Sequence, residues 1–300
     1  MITRLSKQRA RLGESPIWVC ADETVMWVDI DGRKICRTEL GSGRTDVWSV
    51  PGRPGCIGRL ADARYLVATE RDIIGIALNE TKSWLLCKAD GGDSNLRFND
   101  GKTDRSGKYF FVGDIYLPRD QAKSKLWCID SNGRLKSALE GFTTVNGLCW
   151  SPEGKTAYIS DSPRQRIWAY DFDPDIGDWH SGRLLIETNG KGRPDGAAID
   201  TDGCYWVAMF GGSAILRVTP DGRVERVIKL PVRFPTMVAF GGANLDLMII
   251  TTAYVQDGHE QELDGCLLAL ETGYQGMPEP VFELSIDLQK KCQFLQSLPN

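Results

Sequence analysis

Six short apolar runs recur along the chain, and a turn rich in Gly, Asp, Asn, Pro or Ser precedes each of them. The central residues of these runs lie 40 to 48 residues apart: Met26, Leu66, Phe110, Tyr158, Trp206 and Met248. A short strand-like segment comes before each turn, and two segments of lower hydrophobicity follow each run. Short apolar runs bounded by turn residues predict buried β-strands. Each repeating unit therefore contains four predicted strands.

Six units of four strands predict an all-β protein, a six-bladed β-propeller with four antiparallel strands in each blade. The chain shows no convincing helical periodicity. A pair of β-sandwich domains is the structural alternative, but it would not explain the regular spacing. We expect residues 1–300 to form a single propeller domain. We also expect residues 2–6 to close the ring by completing the blade that ends with residues 280–284.

The innermost strand of every blade lines the central channel of a propeller, and its first residues lie near one mouth. Counting back from the six runs gives one channel position per blade: Glu14, Gly55, Asn99, Asn146, Asp195 and Thr236. Asn-Gly and Asp-Gly are also common hairpin signals, but four polar residues in register favour a site. Converging oxygen donors suit Ca²⁺, Mg²⁺ or Mn²⁺, with zinc and iron left open. We predict a central metal site held by Glu14, Asn146 and Asp195.

Four segments carry these polar residues in a defined order: Gly13-Glu14-Ser15-Pro16-Ile17-Trp18, Arg97-Phe98-Asn99-Asp100-Gly101-Lys102, Asn146-Gly147-Leu148 and Pro194-Asp195-Gly196. In order and spacing they resemble the motifs of the SMP-30/gluconolactonase/LRE-like family, over nearly the whole chain. The resemblance implies a six-bladed propeller with one divalent metal ion that hydrolyses sugar lactones to aldonic acids. By position, Glu14, Asn146 and Asp195 resemble the metal ligands, and Arg97 and Asn99 resemble the substrate-binding pair.

The third blade departs from the family pattern. Members that act on gluconolactone often carry Gly-Thr-Met and then paired acids there, whereas this chain continues from Val112 as Val-Gly-Asp-Ile-Tyr-Leu-Pro. We expect the long loops at residues 115–125 and 253–265 to surround the channel mouth, where loops commonly set specificity. Asp114, Tyr116 and His259 are the possible rim residues.

Lactone hydrolysis needs an electrophile at the carbonyl oxygen, a water nucleophile and an acceptor for the proton of that water. A divalent cation polarises the carbonyl and lowers the pKa of water. Asp195 is the candidate proton acceptor, because a carboxylate can use its second oxygen as a base. Two alternatives stay open: a metal-dependent phosphoesterase or organophosphatase-like propeller, and a calcium-binding protein without turnover.

The charge and the cysteine content limit the classes of partner and the kinds of site that we expect. The 36 basic and 40 acidic residues are interspersed and give a formal charge of −4, which disfavours nucleic acid and anionic membranes as partners. A small-molecule sugar lactone is the expected partner, and the oligomeric state stays open. Nine scattered cysteines predict free thiols, and two histidines are too few for a multi-histidine metal site. Without a secretory signal or an apolar run of about 20 residues, we expect a cytoplasmic protein.

Overall fold

Each of the six apolar runs forms the second strand of an antiparallel sheet, and the six sheets are the blades of a propeller. A computed structural model describes residues 1–89, 93–285 and 288, together with the backbone of residues 296 and 297. The predicted architecture of six blades with four antiparallel strands is confirmed.

The strands are numbered along the chain and grouped here by blade, from the channel outward. Blades one to three contain β2 (Gly13–Val19), β3 (Thr24–Asp29), β4 (Lys34–Glu39) and β5 (Thr45–Ser49); β6 (Cys56–Arg59), β7 (Arg64–Ala68), β8 (Asp72–Ala77) and β9 (Lys82–Lys88); β10 (Leu96–Thr103), β11 (Tyr109–Tyr116), β12 (Ser124–Asp130) and β13 (Leu135–Phe142). Blades four to six contain β14 (Val145–Trp150), β15 (Thr156–Asp161), β16 (Arg166–Asp173) and β17 (Asp178–Glu187); β18 (Arg193–Ile199), β19 (Tyr205–Phe210), β20 (Ala214–Val218) and β21 (Val224–Lys229); β22 (Pro235–Gly241), β23 (Leu247–Thr252), β24 (Cys266–Glu271) and β1 (Ile2–Arg9). A short strand, β25 (Gln296–Ser297), pairs with the outer edge of blade two, and two 3-10 helices span Cys20–Asp22 and Leu78–Glu80.

The second strands are continuous apolar runs because neighbouring blades cover both of their faces. Every residue of β3 and nearly every residue of β19 is buried, whereas the outer strand β21 is largely exposed. Six hydrophobic clusters fill the six spaces between adjacent blades. Between blades three and four, the ring of Phe111 packs 5.4 Å from Trp150 and 5.7 Å from Phe172. Burying one such side chain contributes about 1.5–3 kcal/mol.

The ring is closed by the N-terminal strand. Each innermost strand contacts the next one around the axis, and β22 contacts β2 to complete the circle. Strand β1 pairs with β24, with Ile2 opposite Leu270 and Thr3 opposite Ala269. Closure by the N-terminus was predicted correctly, but the predicted partner was wrong, because residues 280–284 do not pair with β1.

Residues 277–283 instead lie across the far end of the channel, where the innermost strands finish. The backbone N–H of Phe282 donates to the carbonyl of Arg59 at 2.8 Å, and the Phe282 ring packs between blades two and three. The Glu279 carboxylate lies 3.6 Å from the ammonium of Lys102, a largely buried side chain of β10. This segment therefore caps the channel on the side opposite to the predicted site.

Two smaller expectations concern the chain as a whole. Eight cysteines in the described residues are free thiols, and the ninth, Cys292, lies outside the described residues. None of the helices in the part of the chain that the structure describes is long and apolar enough to cross a membrane. That residues 1–300 form a single domain stays a prediction.

We expect deletion of residues 1–8 to lower the thermal midpoint Tm by at least about 2 °C, because blade six loses its outer strand and about 1 kcal/mol or more of stability. The measurement is a thermal unfolding curve followed by circular dichroism. Lys7→Ala changes an exposed side chain of the same strand and serves as the control. An unchanged curve for the deletion would show that β1 contributes no stability.

Candidate functional site

A pocket of about 100 Å³ opens at the channel mouth where the first strands begin and the second strands end. Five side chains predicted from the sequence line it together: Glu14, Arg97, Asn99, Asn146 and Asp195. They come from four different blades, which the closed ring brings to one point. The remaining channel positions, Gly55 and Thr236, do not line this pocket.

The same backbone irregularity lies at the site residue or directly after it in each of these four blades. The strand pairing shifts between Glu14 and Ile17, and again after Phe98, Asn146 and Pro194 in the other three first strands. Such bulges bend a strand and re-aim a side chain. In these strands they turn the polar residue away from the alternating pattern of the core and toward the pocket.

A chain of hydrogen bonds orients the side-chain amides. One guanidinium nitrogen of Arg97 donates to Oδ1 of Asn99 at 3.1 Å, and Nδ2 of Asn99 donates to Oδ1 of Asn146 at 2.7 Å. Nδ2 of Asn146 in turn donates to the hydroxyl of Ser162, which donates to the carbonyl of Pro194, both at 2.7 Å. Blades three, four and five are thereby linked, and the amide oxygen of Asn146 keeps a lone pair for a further partner.

The two carboxylates of the pocket accept few hydrogen bonds from the described residues. The backbone N–H of Ser15 donates to Glu14 at 2.9 Å, whereas no hydrogen bond reaches the Asp195 carboxylate from the residues described here. Burial raises the pKa of Glu14 well above its ordinary value, and the charges of Asp195 and Asp100 add to the effect. Burial and the charge of Asp100 likewise raise the pKa of Asp195. Buried carboxylates in this state favour a bound cation.

Arg97 is a buried, charged side chain whose N–H groups do not all have a hydrogen-bond partner. Its guanidinium also donates to the carbonyl of Phe98 at 2.8 Å, while its Nε has no partner among the described residues. Burial and the nearby positive charge of Arg53 lower the pKa of Arg97 to about 10. The side chain is therefore positioned in the pocket wall with a donor to spare.

The predicted rim residues lie elsewhere. Asp114 is fully buried, and its carboxylate is held by Arg71 at 2.6 Å and by the indole N–H of Trp127 at 2.9 Å. Tyr116 is buried at the end of β11, and His259 is exposed in its loop. None of these three predicted side chains lines the pocket. Asp114 is therefore part of an ion pair between blades two and three and not of a rim.

Arg119, in the loop that the sequence predicted at the channel mouth, lines the pocket. Three residues that sequence reasoning did not assign to the site belong to its surroundings. Ser162 and Arg193 line the pocket, and Asp100 lies buried beside it with its carboxylate accepting from the N–H of Leu148 at 3.1 Å. Arg193 precedes Asp195 by two residues, as Arg97 precedes Asn99. A strand places residues two apart on one face, so this repeated spacing was a signal available in the sequence.

The donor set fits one divalent cation. Among the described residues there is no group of three or more His, Cys, Asp and Glu with the arrangement of a metal site. A site at the mouth would instead combine the carboxylates of Glu14 and Asp195 with the amide oxygen of Asn146, all lining one pocket. Two carboxylates and a carboxamide are hard oxygen donors suited to Ca²⁺, Mg²⁺ or Mn²⁺.

Comparison with known proteins places the chain. The sequence model of a protein family, described as the SMP-30/Gluconolactonase/LRE-like region, matches residues 12–254. The chain belongs to this family. The match contains all five side chains that the sequence predicted in the pocket.

Relatives and solved structures of this family extend the comparison. A 6-deoxy-6-sulfogluconolactonase of Pseudomonas putida is 34% identical over 92% of this chain and 96% of the relative. Regucalcin of Gallus gallus is 31% identical over 86% of this chain and 88% of the relative. A crystal structure described as a calcium-binding protein, regucalcin, from Agrobacterium tumefaciens superposes with a TM-score of 0.88 at 23% identity, covering 94% of this chain and 97% of that one. That likeness shows the shared fold.

We expect Gly147→Ala to destabilise the protein by more than about 2 kcal/mol. The residue has φ of 65°, and an added Cβ would collide with the Tyr205 hydroxyl, which donates to the carbonyl of Gly147 at 2.7 Å. Gly190→Ala is the matched control, because Gly190 has φ of 79° and open space around it. Its cost is the backbone strain alone, about 1–2 kcal/mol.

Chemical unfolding of the two variants separates strain from collision. Equal losses of stability in Gly147→Ala and Gly190→Ala would show that the close packing under the site has no energetic weight.

Proposed function

We propose that this protein is a metal-dependent hydrolase that opens sugar lactones to aldonic acids. The observation that carries the proposal is the convergence of two buried carboxylates, a carboxamide and a buried arginine in one pocket at the channel mouth. Membership of the family and the lactonase name of the Pseudomonas putida relative, which matches along almost its full length, support the same reaction.

Glu14, Asn146 and Asp195 would hold the cation. When bound, a divalent cation supplies Lewis-acid polarisation of an ester carbonyl and of water. The hydrogen-bond chain through Asn99 and Ser162 orients the amide of Asn146, so that its oxygen is presented without rearrangement. The net charge of the two carboxylates would then be balanced, which removes the electrostatic conflict between them.

Asp195 is the proposed base. Hydrolysis forms a bond between the oxygen of water and the carbonyl carbon and breaks the bond from that carbon to the ring oxygen. One proton of water passes to the Asp195 carboxylate and then to the departing ring oxygen, which becomes a hydroxyl group. The product is an open-chain hydroxy acid, so atoms and charge balance. The Asp195 carboxylate suits this role because no described residue occupies it by hydrogen bonding.

Arg97 and Asn99 are the proposed substrate-binding pair. Both line the pocket next to the carboxylates, and the Nη2 group of Arg97 donates to no described residue, so it offers a donor to a ring hydroxyl or carbonyl oxygen. Burial of the side chain makes such a hydrogen bond selective, because a ligand that covers this donor without accepting from it leaves it unpaired.

We further propose that residues 1–300 work as one domain in the cytoplasm. The eight described free thiols, most of them buried, suit a compartment that keeps cysteines reduced.

Glu14→Gln is expected to keep the fold and to weaken binding of the divalent ion by at least about tenfold, since one of two charged ligands is lost. Equilibrium dialysis against Ca²⁺ and Mn²⁺ measures the occupancy. Glu153→Gln, in an exposed turn, is the matched control. Full occupancy in Glu14→Gln would place the metal site elsewhere.

Arg97→Ala is expected to raise KM while the metal content stays complete.

The Asp195→Asn variant distinguishes a role of Asp195 as a metal ligand from a role as the general base. The amide oxygen of Asn can still bind a cation, but it cannot accept a proton. At saturating metal we expect the variant to stay folded and loaded, yet to hydrolyse its best lactone at least about a hundredfold more slowly, the usual scale of a lost general base. A pH-indicator assay gives the rates, and Asp171→Asn on the outer strands of blade four is the control. Near wild-type turnover would reduce Asp195 to a ligand.

A further inference from the structure

Three arginines line the pocket, and each comes from a different part of the mouth. Arg97 lies in β10, Arg193 begins β18, and Arg119 lies in the loop after β11. Arg97 is buried, Arg193 is half-buried and Arg119 is exposed at the opening. The three guanidinium groups therefore range from the buried wall of the pocket to its solvent-exposed opening.

None of the three is neutralised by an ion pair within the described part of the chain, where a pair means nitrogen and oxygen within 4.0 Å. Arginines elsewhere in the fold do find carboxylates: Arg217 lies 2.8 Å from Asp200, and Arg233 lies 2.7 Å from Asp257. Among the described residues, the three guanidinium groups of the pocket therefore have no carboxylate partner.

The charges at the mouth repel one another. The walls of the opening partly shield Arg119 from water, and together with the positive charge of Arg193 they lower the pKa of its guanidinium. The charge of Asp195 opposes this effect without cancelling it. With one divalent cation balanced by Glu14 and Asp195, three positive charges remain in the pocket walls.

Arg193 is also held in a defined orientation. Its guanidinium lies over the ring of Phe210 at 5.2 Å, and that ring packs 4.8 Å from Phe234. The side-chain donors of Arg119 and Arg193 make no hydrogen bond to any described residue. A stacked, planar guanidinium keeps its N–H edge free, and that edge matches two oxygens of one anionic group.

We propose that the pocket selects lactones that carry a permanent anionic group, a carboxylate, a sulfonate or a phosphate, held by Arg119 and Arg193 at the mouth. The ester carbonyl would then lie deeper, at Glu14, Asn146 and Asp195. This inference rests on the proposed lactone hydrolysis, and it adds a substrate class and two specificity-determining residues.

The test compares matched lactones. Glucono-1,5-lactone is neutral, and its counterparts carry a carboxylate, a sulfonate or a phosphate at the carbon furthest from the carbonyl. We expect the wild-type kcat/KM to be at least about tenfold higher for one or more of the anionic forms. In Arg119→Gln and Arg193→Gln this preference should fall at least about tenfold, chiefly through KM, because a charge-assisted hydrogen bond is lost. The rank of the three anions identifies the group.

Arg183→Gln is the matched control, because Arg183 pairs with Asp171 on the outer strands of blade four, away from the pocket. It should retain the full preference. A wild-type enzyme that prefers the neutral lactone, or a preference unchanged in both arginine variants, overturns the proposal while leaving lactone hydrolysis intact.

A binding measurement separates this inference from the proposed reaction. 1,5-Anhydroglucitol and its counterparts with a carboxylate, a sulfonate or a phosphate at carbon 6 lack the lactone ester. Calorimetric titration should show at least one anionic ether binding at least about tenfold more tightly than the neutral ether, with and without added metal, and losing that advantage in Arg193→Gln. If no lactone is hydrolysed but this arginine-dependent binding is found, the anion site stands and the proposed reaction fails. Equal binding of all three anionic ethers and the neutral ether overturns the anion site.

Discussion

Two carboxylates buried in one pocket are the constraint on which the rest of the site depends. Glu14 and Asp195 are brought together at the channel mouth, where water screens their charges poorly. A buried charge needs a partner, and two like charges need one even more. The bulged strands, the oriented amide of Asn146 and the neighbouring arginines all place polar or positively charged groups around these two carboxylates. Four blades contribute to this pocket.

The fold could be predicted because its strongest signals are local. A buried second strand between two blades is apolar at every position, and the turn before it carries small or polar residues, so the repeat is visible without any knowledge of pairing. The partner of β1 was not predictable in this way. Ile2 pairs with Leu270, from the opposite end of the chain, and no local pattern distinguishes β24 from residues 280–284 as the recipient.

In the site, too, the position of a residue along its strand was predictable, whereas the direction of its side chain was not. The positions of Glu14, Asn99, Asn146 and Asp195 followed from counting along equivalent strands, and all four line the pocket. Asp114 was placed on a rim because its strand leads into a long loop. Its carboxylate in fact turns inward to Arg71, and whether a side chain at a strand end faces a pocket or a neighbouring strand depends on contacts that the sequence does not display.

The capped far end of the channel has a consequence for the order of events. Residues 277–283 cross the axis behind the site, and Glu279 and Lys102 close the interior there with an ion pair. Under the proposed lactone hydrolysis, substrate and product would therefore share the mouth at which Arg119 and Arg193 line the pocket. The hydroxy acid, once ionised, carries one more negative charge than the lactone. Its release would then compete with the next anionic molecule for the same two guanidinium groups.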